Sequence, residues 1–188
     1  MKNGKLIIFA APSGSGKTSI VKYLLEKKKS LKFSISATTR PKRDNENEGI
    51  DYFFLSIEQF QKKIAAGDFL EWEEVYEGVY YGTLRSEVDK LLKKGKHVLL
   101  DVDVLGALNI KKVYTEKALA LFIKPPSIET LIERLINRGT ESKESLERRI
   151  NKATYELSFE PKFDITIINE HLKDAQKEAE QVVCNFIK

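Results

Sequence analysis

The chain has 188 residues, 41% hydrophobic and 32% charged, with a formal net charge of +4. That much apolar surface excludes wholesale disorder, and the length suits one compact core carrying small insertions. The slight basic excess excludes a nucleic-acid coat protein or a polybasic membrane binder, while a single cysteine (Cys184) excludes an internal disulfide and, with only two histidines, a zinc site. A cytoplasmic protein held together by packing is expected, with no nucleic-acid or membrane partner. Monomer and homodimer both stay open.

The first apolar segment follows two lysines and faintly resembles a signal peptide. It ends in Pro12-Ser13-Gly14 and falls short of the roughly 7–15 apolar residues such a segment needs. It reads instead as a strand, Lys5–Ala10, apolar without alternation and therefore covered on both faces. A glycine-rich turn leads into a helix from about Lys17 to Lys28, with Ile20, Val21, Leu24 and Leu25 on one face.

Residues 34–83 break the rhythm. They are dense in aromatics and turn residues and read as short strands with one helix near Ile57–Ala66. A helix over about Ser86–Lys94 stops at Gly95, and strands are expected over His97–Val104, Ala118–Ile123 and Phe163–Ile168. Between the last two, Pro125-Pro126-Ser127 starts a helix with Ile128, Leu131, Ile132, Leu135 and Ile136 in register, closed by Gly139. A second, heavily charged helix follows over about Lys143–Leu157, so residues 125–157 read as a helical hairpin able to act as a lid. The last helix spans about Lys173–Ile187. Strands alternating with helices predict a parallel sheet flanked by helices. Trp72 reads as core filler, and His97 and His171 as surface imidazoles.

Three groups of residues carry chemistry. The turn Ala11-Pro12-Ser13-Gly14-Ser15-Gly16-Lys17-Thr18 matches the phosphate-binding loop pattern, with Ala in place of the first Gly. Its backbone N–H groups wrap nucleotide phosphates, Lys17 reaches their outer oxygens and the Thr18 hydroxyl suits Mg²⁺. Asp101 and Asp103 end a buried strand beside that loop, where Asp101 can support the Mg²⁺ shell, partly through water.

The insertion supplies the second group. Arg40 and Arg43, near Tyr52 and Tyr81, suit a phosphate monoester, because guanidinium pairs bidentately with its oxygens. Glu71 can accept two hydrogen bonds from a guanine edge, whereas the bare N1 of adenine would repel it. The third group is Arg134, Arg138 and Arg149 in the hairpin. Arg134 and Arg138, four residues apart, share a helix face, and arginines on a closing lid stabilise the charge of phosphoryl transfer.

With those segments in that order, the whole chain resembles the guanylate kinases, P-loop nucleoside monophosphate kinases that transfer phosphate from ATP to GMP. The resemblance implies an α/β P-loop core over residues 1–33, 84–124 and 158–188, a mixed α+β GMP-binding insertion over 34–83 and a helical lid over 125–157. It implies that Arg40, Arg43, Tyr52 and Tyr81 hold the GMP phosphate and that Ser36, Glu71, Thr83 and Asp103 contact guanine. It further implies that Arg134, Arg138 and Arg149 are the lid's phosphate-binding arginines and that Asn169 lies near the adenine of ATP, with Mg²⁺ as cofactor. Arg148, with Glu144 four residues before it, reads as an ordinary ion pair. Two rivals stand beside this reading: a non-catalytic interaction module of the same fold, from which an intact Lys17, Thr18 and lid arginines would separate it, and a kinase for another acceptor, from which Glu71 and Asp103 would.

Overall fold

The structure, a computed structural model, describes residues 4–137 and 143–188. In chain order it contains β1 (Leu6–Ala10), α1 (Lys17–Lys27), β2 (Leu31–Phe33), β3 (Ser36–Thr38), β4 (Phe53–Phe54), α2 (Ile57–Ala65), β5 (Phe69–Tyr76), β6 (Val79–Leu84), α3 (Arg85–Lys93) and β7 (His97–Asp101). Then come α4 (Val104–Tyr114), β8 (Ala118–Lys124), α5 (Ile128–Ile136), α6 (Lys143–Leu157), β9 (Ile165–Ile168) and α7 (Leu172–Ile187).

β1 lies at the centre of a five-stranded parallel sheet ordered β2-β7-β1-β8-β9. Its side chains alternate between two cores, which is why its sequence is apolar throughout. Ile7 and Phe9 pack with Ile20, Val21 and Leu24 of α1 and Ala175, Ala179 and Val183 of α7. Leu6, Ile8 and Ala10 face the other way, against Val88 of α3 and Val104, Ala107 and Ile110 of α4. All five β1 residues are fully buried.

The second sheet, ordered β4-β3-β6-β5, is built from the aromatic-rich stretch. Its core is Ala37, Phe60, Phe69 and Leu84. Phe60 stacks on Phe69 with centroids 4.3 Å apart and on Tyr80 at 5.3 Å. α2 begins at a capping box, the Ser56 hydroxyl accepting from the Gln59 N–H while the Gln59 side chain accepts from the Ser56 N–H. The helical hairpin has its own small core of Leu131, Leu135 and Ala153.

Some expectations need correction. The strand expected over His97–Val104 stops at Asp101, and Val104 opens α4, a helix the sequence reading did not anticipate. Asp103 turns the chain: its Oδ1 accepts from the N–H groups of Leu105 at 2.7 Å and Gly106 at 2.9 Å, an N-cap that diverts the backbone out of the sheet. Two valines and a glycine weaken the helical signal of α4, and burial of Val104, Gly106, Ala107 and Ile110 supplies what propensity lacks. The last strand begins at Ile165 rather than Phe163 because Glu160–Lys162 form a 3₁₀ turn. Trp72 is not core filler: it stands 47% exposed on an edge strand. His97 is half-buried, its Nδ1 accepting from the Lys5 N–H at 3.2 Å, and burial, aided by the Lys5 charge, lowers its pKa.

Because Phe9 fills the centre of the sheet's α1/α7 face, Phe9→Ala should destabilise the fold by about 3–5 kcal/mol. A urea titration should show a lower midpoint with an unchanged slope; a loss below about 1 kcal/mol would contradict this packing.

Candidate functional site

The carboxyl end of β1 opens into a cavity of about 910 Å³, walled by the phosphate loop, the second sheet, the end of β7 and α6. Ala11 through Thr18 all line it. The loop ends at Gly16, the N-cap of α1, whose φ of 88° lies in the left-handed region open mainly to glycine. No side chain caps the helix, so its positive end is left to an anion. Lys17 is ion-paired with Asp101 and donates to the Val102 carbonyl at 3.1 Å. Thr18 and Asp101 line the same cavity. Their hydroxyl and carboxylate are hard oxygen donors suited to Mg²⁺.

The opposite wall holds the acidic pocket. Ser36, Glu71 and Asp103 line the cavity. Thr83 is buried behind them, its hydroxyl donating to Glu71 Oε1 at 2.6 Å, and it pairs in register with Ser36 across β3 and β6. Glu71 presses on the first turn of α4, where Gly106 admits it: a Cβ there would stand 3.1–3.2 Å from the Glu71 side chain. Burial raises the Glu71 pKa to about 7, opposed by the Thr83 hydrogen bond and reinforced by the Asp103 charge. One oxygen of Asp103 caps α4, and the residue lines the cavity beside Glu71.

The basic clamp is organised by a residue the sequence reading missed. Arg40 is paired bidentately with Glu46, its Nη1 donating to Oε2 at 2.7 Å and its Nη2 to Oε1. Its guanidinium also lies over the Tyr52 ring at 4.9 Å and the Phe54 ring at 5.7 Å. The Arg43 N–H donates to Glu46 Oε2 at 2.9 Å. The hydrogen bonds from Arg40, then from the Arg43 backbone, hold the Glu46 carboxyl down at about 2, while Glu46 raises Arg40. Tyr52 and Tyr81 line the cavity; the Arg43 side chain is exposed. Glu46 is one acid among several in Asp44-Asn45-Glu46-Asn47-Glu48, so nothing in the sequence singles it out.

The arginines of the hairpin divide. Arg149 lines the cavity and donates to the Ser13 hydroxyl. Arg148, read as an ordinary ion pair, lines it as well. Arg134 is not brought to the cavity: its Nη2 donates to the Asn169 carbonyl at 2.9 Å. Arg138 lies outside the described residues. Asn169 is buried and absent from the cavity wall. Three further charged residues of the cavity wall, Lys152, Glu73 and Glu156, went unread. Lys152 of α6 pairs with Glu73 of β5 at 3.4 Å, and burial raises the carboxyl pKa of Glu156, against the pull of Lys152 and Lys17.

Among the described residues no group of three or more His, Cys, Asp or Glu can hold a metal, and no helix is long and apolar enough to cross a membrane.

Comparison with known proteins gives concordant matches. The family model for guanylate kinase matches residues 3–185. A guanylate kinase of Bacteroides fragilis is 56% identical over 183 residues, covering 97% of this chain and 90% of that protein. One from Chlorobium chlorochromatii is 48% identical, covering 98% and 97%. In structure, the guanylate kinase of Anaplasma phagocytophilum superposes with a TM-score of 0.77 at 28% identity, covering 99% of this chain and 87% of that one.

Glu71 should titrate near 7 in the ligand-free protein, seen by carboxyl-carbon NMR, and Thr83→Val should push it higher by removing a donor to the carboxylate. Its folded pKa lies above the unfolded value of about 4.3, so this group's contribution to stability falls as pH rises from there through about 7. A titration in the ordinary carboxylate range would contradict the buried setting.

Proposed function

Because the chain belongs to the guanylate kinase family, we propose that it transfers the γ-phosphoryl group of ATP to GMP, forming ADP and GDP, with Mg²⁺ as cofactor. One observation carries the reading: a single cavity joins an intact phosphate loop to an acidic pocket built around Glu71, with Tyr52 and Tyr81 of the clamp in its wall. The two nucleotides differ in what they offer, and each wall suits one of them.

The donor's phosphates take the loop's N–H groups and the positive end of α1. Lys17 leaves Asp101 for the phosphate oxygens as the loop fills. Thr18 and Asp101 would hold the metal, Asp101 partly through water. When bound, that ion supplies neutralising charge to the phosphates. At the other wall guanine presents N1–H and N2–H₂ to Glu71 in its carboxylate form, with Ser36, Thr83 and Asp103 completing the edge. Arg40, Arg43, Tyr52 and Tyr81 hold the acceptor phosphate. The Glu46 pairing keeps the Arg40 fork oriented, so less freedom is lost on binding.

The reaction is an in-line displacement. An oxygen of the GMP phosphate forms a bond to the γ-phosphorus while the bond to the ADP oxygen breaks, and the electron pair leaves with ADP. No side-chain nucleophile is needed, so the residues position and neutralise. Arg149, already beside Ser13, is placed to meet the charge that builds on the transferring group; Arg138 is assigned the same task, and Arg134 would have to leave the Asn169 carbonyl to join them. On this reading residues 1–33, 84–124 and 158–188 form the core, 34–83 the acceptor-binding insertion and 125–157 the lid. A non-catalytic module would make no use of Lys17 paired at the loop or of arginines on the cavity wall.

An assay coupled to ADP release, run with GMP, dGMP, AMP and UMP, should show GMP strongly preferred. Lys17→Met should fold normally and lose about 10²–10³-fold in turnover, the cost of removing one fixed electrostatic stabiliser. Near wild-type turnover would overturn the assignment of the loop.

A further inference from the structure

Asn169 follows β9 directly and is 4% exposed. Its side-chain amide donates to the Ser15 carbonyl at 2.7 Å, joining the end of the last strand to the middle of the phosphate loop. The contact leaves no slack: a Cβ at Gly16 would stand 2.2 Å from Asn169 Nδ2. Asn169 is itself held from two other sides. Its N–H donates to the Lys124 carbonyl at 2.7 Å, extending the β8–β9 pairing, and its carbonyl accepts from Arg134. None of this side chain lines the cavity where the nucleotides would lie.

We infer that Asn169 is a positioning residue for the phosphate loop, acting through the Ser15–Gly16 peptide rather than reading the base of the donor; the inference rests on the kinase reading above. The peptide unit is planar and trans, so its C=O and N–H point in opposite directions. Fixing the Ser15 carbonyl on Asn169 therefore aims the Gly16 N–H away from Asn169. Ser15 is fully buried, and without Asn169 its carbonyl becomes a buried acceptor without a donor. The loop would relieve that by turning the peptide, and the Gly16 N–H would turn with it. Arg134 on the Asn169 carbonyl ties the same point to α5, so the hairpin, the last strand and the loop meet at one residue.

The test separates a base contact from a loop anchor by using a donor with no base. Asn169→Ala and Asn169→Asp are measured for ATP and CTP as donors, and for inorganic tripolyphosphate as a competitive inhibitor against ATP. Binding of GMP, measured directly, reports that each variant is folded and keeps the acceptor site. Expected is a loss of about tenfold or more in donor affinity, the scale set by one unsatisfied buried acceptor. It should be equal for ATP and tripolyphosphate, with the ATP/CTP preference in kcat/KM unchanged and GMP binding intact. An unchanged inhibition constant for tripolyphosphate with a collapsed ATP/CTP preference would overturn the inference in favour of a base contact. Unchanged kinetics with only a lower melting temperature would overturn it in favour of a structural role. If neither variant binds GMP, Asn169→Ser is measured in the same way, and loss of GMP binding there too would overturn the inference, the residue then serving the whole fold. Failure of the wild-type protein to phosphorylate GMP would instead defeat the kinase reading, while the tripolyphosphate comparison would still report on the loop.

Discussion

The turn between β1 and α1 is the constraint on which the site depends. β1 is buried on both faces and flanked on both edges, so its carboxyl end is among the most rigid points of the sheet. A left-handed residue at Gly16 then converts strand to helix within a few residues, leaving the helix end uncapped. Other strand ends converge there: Asp101 at the end of the adjacent β7 reaches Lys17, and Asn169, just past β9 at the sheet's edge, reaches Ser15. Parallel strands place such groups together because their carboxyl ends share one edge of the sheet.

Two of the site's cations are arranged as held pairs. Lys17 is kept by Asp101 and Arg40 by Glu46, so each cation is oriented before a phosphate arrives. The cost of desolvating such groups is met once, during folding, and the ligand displaces or joins an existing partner. Glu71 is the opposite case. Pressed on Gly106 and near Asp103, it has the Thr83 hydroxyl and the Thr83 backbone to favour its ionised form, and burial still holds its proton well above the usual range. Two donors on a guanine edge would supply what the pocket lacks.

What the sequence disclosed follows from how tightly backbone chemistry restricts residue type. The phosphate loop was legible because Gly14, Gly16, Lys17 and Thr18 stand at fixed spacing between an apolar strand and an amphipathic helix. Glu71 was read from its fit to a guanine edge, and Thr83 and Ser36, far from it in the chain, were reached through the family resemblance; the pairing of β3, β5 and β6 explains their meeting. Glu46 was not legible, because its partner is chosen by a local turn and several neighbouring acids look alike. The helix α4 was hidden by valines and a glycine that the Glu71 contact requires. Trp72 illustrates a different failure: hydrophobicity alone does not reveal that a residue sits on a sheet edge. Arg134 shared a helix face with Arg138 by spacing, yet its guanidinium is drawn to the end of β9, a contact no periodicity displays.

The central claim is that Glu71 reads the acceptor base. The most direct measurement is the ratio of kcat/KM for GMP over AMP in the wild type and in Glu71→Gln. A polar site built for one hydrogen-bond pattern rejects the wrong one by roughly 10⁴–10⁵-fold. In the variant an amide N–H replaces one acceptor, so GMP should lose strongly while adenine N1 gains a donor. The ratio should therefore shrink by orders of magnitude; an unchanged ratio would contradict the claim.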